Sequence, residues 1–169
     1  LPIYVFGSDV LRAKAKEIDI ESVDKEALGK FIDDMFETMK NAEGVGLAAP
    51  QVGKDIQCVM VDGRDIADTY HYLKDFFRVM INPVILETSG SQTDDEGCLS
   101  VPGKWGIVER PDHVKVRAQD RNGNVFEVEA DGFTARAFCH EIDHLSGHLF
   151  VEKAIEFIDP KEYFEDDEE

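Results

Sequence analysis

A helical pattern of apolar residues is present between positions 24 and 41 of the chain. Asp24 is suited to cap the N-terminus of such a helix, and Lys40 places a cation in its last turn, where the helix dipole favours positive charge. Apolar residues recur three and four positions apart, so they share one face: Ala27, Leu28, Phe31, Ile32, Met35, Phe36 and Met39. We predict an amphipathic helix from Asp24 to about Asn41, with its apolar face in the core.

Strand patterns occupy the middle of the chain. The segments 56–62 and 79–87 are rich in β-branched and apolar residues, although Pro83 interrupts the second. Segments 114–118 and 125–129 alternate apolar and polar residues. Asn122-Gly123 between them predicts a hairpin turn, because both residues tolerate positive φ.

A second helix is predicted over residues 133–146, and Gly147 is placed to end it. Residues 165–169 are all acidic and predict a solvated end to the chain. There is no internal repeat and no linker-like boundary. Strands in the middle with helices at the flanks predict a single domain of the α+β class.

Charge and composition narrow the classes of function. The net charge of −18 argues against nucleic-acid binding and against attachment to an anionic membrane surface. No segment approaches the roughly 20 apolar residues that span a bilayer, and residues 1–10 lack the regions of a signal peptide. The three cysteines are odd in number and widely spaced, which is typical of free thiols in a reducing compartment. We therefore expect a cytoplasmic protein.

The sharpest chemical signal is the HExxH run from His140 to His144 on the second predicted helix. A spacing of four residues is about one helical turn, so both imidazoles point the same way and can chelate a divalent ion. Glu141 follows the first histidine, where a carboxylate can act as general base toward a metal-bound water. A third histidine, His148, lies close by.

The third metal ligand is open on spacing alone. A metzincin pattern requires histidine at position 150, which is Phe150. A thermolysin-like site would use a downstream carboxylate, either Glu162 or Glu165. The alternative lies upstream in the segment 96–100, where Cys98 offers a thiolate, although a free cysteine is more often a small buried apolar residue.

The glycine-rich segment 44–53 is the third notable feature. Small residues there allow the backbone to approach another group closely. It lacks the Gly-Lys-Ser/Thr ending of a phosphate-binding P-loop and does not fit the spacing G-x-G-x-x-G. Taken alone, it is consistent with an ordinary turn after a helix.

The three segments taken together, GVGLAAPQ at 44–51, EGCLS at 96–100 and HEIDHLSG at 140–147, resemble the signature motifs of peptide deformylases. The similarity also covers 1–4, 9–12 and 81–83, and it extends over about residues 1–158. It implies an α+β fold with antiparallel sheets around a central metal-binding helix. It further implies one catalytic domain over 1–158, followed by an acidic tail at 159–169.

The resemblance also implies an activity: metal-dependent removal of the N-formyl group from the N-terminal formyl-methionine of new polypeptides, with release of formate. The implied metal ligands are Cys98, His140 and His144, with water as the fourth. Glu141 is then the general base, and the metal is one divalent ion per chain. In the cell Fe²⁺ is expected, and Ni²⁺, Co²⁺ or Zn²⁺ can substitute.

Further roles follow from the same resemblance. The side-chain amide of Gln51 and the backbone N–H of Leu99 stabilise the oxyanion, and the backbone of Gly46 holds the substrate chain. The implied partners are formyl-methionyl nascent peptides and, transiently, the ribosome. The pocket for the methionine side chain is predicted from helix positions instead. Phe133, Arg136 and Ala137 lie seven, four and three residues before His140, on or near the metal-facing side of the helix, and we expect them to line this pocket together with Val45.

Two neighbouring positions are less tied to the motifs. Cys139 stands where the family often has Gln, and we interpret it as structure, not as a ligand, because residues 139 and 140 point about 100° apart on a helix. Trp105 lies at the rim in this interpretation, where packing is the commoner role of an aromatic residue.

Two other hypotheses compete with deformylation. One is a zinc peptidase that uses the two motif histidines and a downstream glutamate. The other is a non-enzymatic domain that binds formylated chains without turnover, although the presence of Glu141, Gln51 and Cys98 argues against it.

Overall fold

The computed structural model of the protein describes residues 1–68 and 73–158. In chain order its helices and strands are α1 (Asp9–Arg12), α2 (Lys25–Asn41), β1 (Gly46–Ala48), β2 (Cys58–Asp62), β3 (Phe77–Ser89), β4 (Gln92–Cys98), β5 (Val101–Arg110), β6 (His113–Gln119), β7 (Val125–Asp131), α3 (Gly132–Leu145) and β8 (Ala154–Ile158). Short 3-10 turns lie at Ala49–Val52, Arg64–Ile66 and Phe150–Glu152.

The strands form two antiparallel sheets. Five strands pair in the order β1-β2-β3-β6-β7, and three pair in the order β4-β5-β8. This arrangement confirms the α+β class predicted from the sequence. Among the described residues, no helix is long and apolar enough to cross a membrane.

Strand β2 packs against both long helices, α2 and α3. All five of its residues are buried. Val59 and Val61 pack in the cluster that contains Phe138 of α3, whereas Cys58 and Met60 pack in the cluster that contains Ile32 of α2. Since successive side chains of a strand point to opposite faces, the five-stranded sheet lies between α2 and α3.

The two predicted helices are confirmed, and so are the signals at their ends. The side chain of Asp24 accepts hydrogen bonds from the backbone N–H groups of Glu26 and Ala27, as expected of an N-cap. Helix α3 ends with Ser146 as its C-cap, and Gly147 follows with φ of 80°. A Cβ at position 147 would also overlap the backbone of Arg12, so glycine is required for two reasons.

The strand predicted at 79–87 exists but is longer and is not broken by Pro83. It runs through Pro83 with a shift in its pairing to β6 between Ile81 and Val84. Asn82 adopts φ of 52° at this bulge. Its side-chain amide bonds both the N–H and the carbonyl of Ile18, so the irregular backbone is stabilised from outside the sheet.

The predicted hairpin is confirmed as β6–β7, but its loop has a different geometry from a two-residue turn. The strands end at Gln119 and Val125, which face each other in the register. Only Gly123 has a positive φ, of 90°, and Asp120 organises the loop by accepting the N–H groups of Asn122 and Asn124.

Two long strands, β4 and β5, were not predicted. Their residues include four of type Asp or Glu and three glycines, which obscures any period-two pattern. The expectation about residues 159–169, including Glu162 and Glu165, lies outside the described residues.

Candidate metal centre and active site

Three side chains from two separate elements converge near the middle of the molecule. His140 and His144 lie one turn apart on α3, and their rings meet edge to face with centroids 5.1 Å apart. Cys98 is the last residue of β4, and its Sγ lies 3.5 Å from Nε2 of His144. Sγ and the facing ring nitrogens all lie within 4.8 Å of one another.

Glu141 lies beside this group and is almost completely buried. Its Oε1 is 3.7 Å from Nε2 of His144. A Cβ at position 46 would overlap the Glu141 carboxylate, so the absence of a side chain at Gly46 makes room for it. Burial raises the pKa of Glu141 to about 7, which leaves the carboxyl group able to take up and release a proton near neutrality.

The amide of Gln51 is held in one orientation. Its Oε1 accepts the backbone N–H of Ala48 at 2.9 Å. Its Nε2 therefore faces the other way and donates to Oγ of Ser100 at 3.1 Å and toward Sγ of Cys98 at 3.4 Å. A buried amide fixed at both ends is a preorganised hydrogen-bond donor beside the cysteine.

Glu96 is a buried carboxylate behind the histidine pair. Oε1 lies 2.8 Å from Nδ1 of His140, and Arg110 makes two hydrogen bonds of 2.9 Å, one to each oxygen. Arg136 binds Oε2 as well. Burial by itself would raise the pKa of Glu96, but the bonds from His140 and Arg110 outweigh it and lower the pKa to about 2.

The bond to Glu96 determines which nitrogen of His140 faces the cysteine. With Nδ1 engaged, Nε2 is the nitrogen left to act as a ligand, which is the usual arrangement of metal-bound histidine. Glu96 and Cys98 also stabilise the protonated form of the His140 ring. Burial opposes protonation of His140, but its hydrogen bonds to Cys98 and Glu96 raise its pKa to about 10.

These donors fit a divalent transition metal. One sulfur and two imidazole nitrogens are the ligand types such ions prefer, and three protein ligands are typical of a catalytic centre with an open position. Two buried atoms at the centre, Oε1 of Glu141 and Nδ1 of His144, have no hydrogen-bond partner among the described residues. Of these, Glu141 Oε1 faces the ligand group, where bound water can satisfy it.

A cavity of about 700 Å³ opens onto this centre. It is lined by every residue predicted for catalysis or binding except His144, which is almost completely buried. The predicted residues that line it are Val45, Gly46, Gln51, Cys98, Leu99, Phe133, Arg136, Ala137, His140 and Glu141. Trp105 also lines the cavity and is 38% exposed.

The sequence model of the family described as polypeptide deformylase matches residues 1–159. The chain belongs to the polypeptide deformylase family. The peptide deformylase of Lachnoclostridium phytofermentans is 49% identical over 155 residues, covering 89% of this chain and 86% of the relative. That of Caldicellulosiruptor bescii is 47% identical over 160 residues, covering 95% and 89%.

Solved structures lead to the same family. A class I type b peptide deformylase from Acinetobacter baumannii superposes with a TM-score of 0.83 at 38% identity, covering 90% of this chain and 97% of that one. A peptide deformylase from Synechococcus elongatus in complex with actinonin gives 0.80 at 40% identity, covering 91% and 78%.

As a deformylase, the chain is a metal-dependent hydrolase that removes the N-formyl group from the N-terminal formyl-methionine of newly synthesised polypeptides. This favours the deformylase hypothesis over the zinc peptidase with a downstream glutamate. The two glutamates proposed for that peptidase lie outside the described residues.

Several residues at the deformylase centre were given no role from the sequence. Glu96 stands inside the EGCLS segment but signals nothing by spacing, because its partners come from β5 and α3. Arg110 also donates to Asp143 at 2.6 Å, and Lys153 joins Asp143 at 2.9 Å. Cys139 is buried among apolar residues that include Phe138, which agrees with its interpretation as structure.

Proposed function

We propose that Cys98, His140 and His144 hold one divalent ion and that Glu141 is the general base for hydrolysis of the formyl group. The observation that carries this proposal is the convergence of three ligand atoms within 4.8 Å, next to a buried carboxylate and at the wall of a large cavity. Gln51 and the backbone N–H of Leu99 are proposed to stabilise the oxyanion.

The ion in the cell is proposed to be Fe²⁺, with Ni²⁺, Co²⁺ or Zn²⁺ able to take its place. When bound, the ion lowers the pKa of water toward about 7 and so provides a hydroxide nucleophile at neutral pH. A thiolate with two imidazoles suits each of these ions. Glu96 supports the site by fixing the ring of His140 through its Nδ1.

Glu141 handles the protons of the reaction. Its pKa of about 7 means that it is partly ionised at neutral pH, so it can accept a proton from water and later give one to the departing amine. Oε1 has no hydrogen-bond partner among the described residues, which leaves it available to a water molecule. Burial also excludes bulk solvent from this proton transfer.

The donors for the oxyanion come from two elements. Gln51 is fixed by Ala48, so its NH₂ group stays near Cys98 without reorganisation during the reaction. Leu99 directly follows Cys98, and its side chain fits against Gly44, where a Cβ would lie 2.9 Å from Cδ1. A single preorganised donor contributes roughly 3–4 kcal/mol to the transition state.

The substrate is proposed to lie in the cavity with its methionine side chain against Val45, Phe133, Arg136 and Ala137. The guanidinium of Arg136 is bound by Glu96, so the apolar stem is the part of this residue that can face methionine. The backbone of Gly46 is proposed to hold the substrate chain. Position 46 has no side chain, so its backbone can lie close to Glu141 and to a substrate bound beside that residue.

We place this activity in the cytoplasm, on formyl-methionyl nascent peptides and with transient contact to the ribosome. Residues 1–158 are proposed to act as one catalytic domain, with 159–169 as an acidic tail. A net charge of −18 disfavours direct binding to nucleic-acid phosphates, so a ribosome contact through protein is favoured.

The test compares formyl-Met-Ala-Ser, acetyl-Met-Ala-Ser and formyl-Ala-Ala-Ser on protein purified anaerobically, with metal analysis of the same sample. We expect kcat/KM to be highest for formyl-Met, clearly lower for formyl-Ala and near background for acetyl-Met. The extra methyl of an acetyl group displaces the carbonyl from its donors, and a shift of about 1 Å costs on the order of 10²-fold. Comparable turnover of the acetyl peptide would contradict the proposal.

A further inference from the structure

One part of the cavity wall is built from two segments that supply none of the proposed metal ligands. The first is the segment 42–46, which leads from α2 into β1. The second is the turn Arg64–Ile66 after β2, of which Ile66 reaches the cavity. Glu43 in the first segment has φ of 58°, an unfavourable value for a residue other than glycine.

Lys40 links the two segments that form this part of the cavity wall. It lies in the last turn of α2, two residues before Ala42. Its Nζ donates to Oδ2 of Asp62 at 2.8 Å and to Oδ2 of Asp65 at 2.7 Å. Asp65 precedes Ile66, so a single ammonium group joins the end of the helix to the turn.

The anchor of this contact is buried. The Asp62 side chain is completely inaccessible to solvent, and Arg64 also binds it, with Nε and Nη2 at 2.9 and 2.8 Å. Burial alone would raise the pKa of Asp62, but hydrogen bonds from Arg64 and Lys40 hold it far below its usual range. Asp62 is therefore charged at neutral pH.

Two aromatic rings complete the contact. Phe36 of α2 and Phe77 of β3 meet edge to face with centroids 5.3 Å apart. Lys40 lies over the first ring at 5.5 Å and Arg64 over the second at 4.8 Å. Both cations thus have an aromatic face as well as the Asp62 carboxylate, which restricts their positions.

The two ion pairs of Lys40 are unequal. Asp65 is 76% exposed, and exposed pairs contribute little. The Lys40–Asp62 pair is the effective one, because one partner is buried and the other is only 25% exposed. Removal of Lys40 would still leave Asp62 paired with Arg64, so the fold is expected to survive.

We propose that Lys40 is a positioning residue for substrate binding, because it ties the segment 42–46 to the turn Arg64–Ile66 and so sets this wall of the cavity. The proposal rests on the proposed location of the substrate in this cavity. Lys40 makes no contact with Glu141, Gln51 or Cys98 among the described interactions. Its loss should therefore act on KM more than on kcat.

The experiment compares Lys40→Gln with Lys30→Gln. Lys30 lies on the same helix and also pairs with an aspartate, Asp34, but at 3.6 Å and largely exposed to solvent. For Lys40→Gln we expect the KM for formyl-Met-Ala-Ser to rise about threefold to tenfold, with kcat and metal content unchanged. Lys30→Gln should have the wild-type KM. Lys40→Arg keeps the positive charge, so its KM should lie between those of wild type and Lys40→Gln.

Amide hydrogen exchange provides a readout independent of turnover. Exchange in Lys40→Gln should increase at residues 42–46 and 64–66 and stay unchanged in α3. The inference is overturned if KM stays at the wild-type value, if kcat falls instead, or if Lys30→Gln gives the same change. Failure of the wild-type protein to deformylate the peptide would instead contradict the proposed function, which separates the two results.

Discussion

Helix α3 and the β4–β5 hairpin both supply side chains to the proposed metal centre, but they position these side chains by different means. In α3, a spacing of four residues brings His140 and His144 to one side, and helical geometry alone accounts for it. In the hairpin, Cys98 meets His144 at 3.5 Å across 46 residues of sequence, and only the packed fold accounts for that distance.

The two parts of the site therefore differ in how strongly the positions of their side chains depend on packing with the rest of the fold. The helix would keep its two histidines aligned even if neighbouring packing changed. The hairpin depends on Arg110 of β5, which binds Glu96 of β4 and Asp143 of α3 at the same time. The Glu96–Arg110–Asp143 link therefore fixes the hairpin to the helix together with the direct contacts of His140 and Arg136 to Glu96. Glu96 and Arg110 are buried, so loss of either one would strongly destabilise this connection.

The largest effect on activity is expected from a substitution in helix α3, Glu141→Gln. The amide cannot accept a proton from water, so kcat should fall by about 10²–10⁴-fold while the metal content stays near that of wild type. Steady-state kinetics on formyl-Met-Ala-Ser, with metal analysis, checks this. The exposed Glu37→Gln on α2 is the matched control and should leave kcat unchanged. A decrease smaller than about tenfold with metal retained would remove Glu141 from the role of base.

The second largest effect is expected on metal affinity, from a substitution in the hairpin, Cys98→Ala. Loss of outer-shell partners of a metal typically costs about 10–100-fold in affinity, so loss of a thiolate ligand should exceed that range. Competition with a chelator measures the affinity. Cys139→Ala is a matched control, since Cys139 is adjacent to His140 but packs in the apolar cluster with Phe138. Stoichiometric metal in Cys98→Ala would mean that the helix alone holds the ion.

The sequence predicted α2 and α3 and the strands β2, β3, β6 and β7 because their patterns are local. It missed β4 and β5 because their exposed faces carry residues such as Asp94, Asp95 and Lys104, and because Gly97 and Gly103 remove apolar positions. The site was predicted from the three motifs together, through family resemblance. No spacing rule would have linked Glu96 with Arg110, since their contact depends on the pairing of two strands that were not recognised.

The third prediction concerns the link between hairpin and helix, through the pH dependence of stability. The folded-state pKa of Glu96, about 2, is below its ordinary value of 4.5, so the unfolded chain binds more protons between these values. The stabilisation is present above pH 4.5 and is lost as the pH falls toward 2. The difference between these two pKa values corresponds to roughly 3 kcal/mol.

Urea unfolding of metal-free protein at several pH values measures this contribution. The stability difference between wild type and Glu96→Gln should narrow as the pH is lowered from 5 toward 3, because Glu96 takes up a proton in the unfolded chain while it stays ionised in the folded protein. Comparison with the variant cancels the titration of the other groups. A difference that stays constant over this range would show that Glu96 does not carry the link.

The smallest effect is expected at His148, the third histidine of the motif region. It lies four residues after His144, the spacing that brings His140 and His144 together, but the helix has ended by then and Gly147 turns the chain. The side chain is 53% exposed, and its Nδ1 pairs with Glu152 at 2.8 Å instead of facing the metal centre. His148→Gln should therefore leave metal content and kcat/KM unchanged and alter the free energy of unfolding by less than about 0.5 kcal/mol. Chelator competition and urea unfolding, run beside Cys98→Ala, would measure both quantities. Weaker metal binding in His148→Gln would mean that histidine spacing, and not the end of the helix at Gly147, decides which side chains reach the ion.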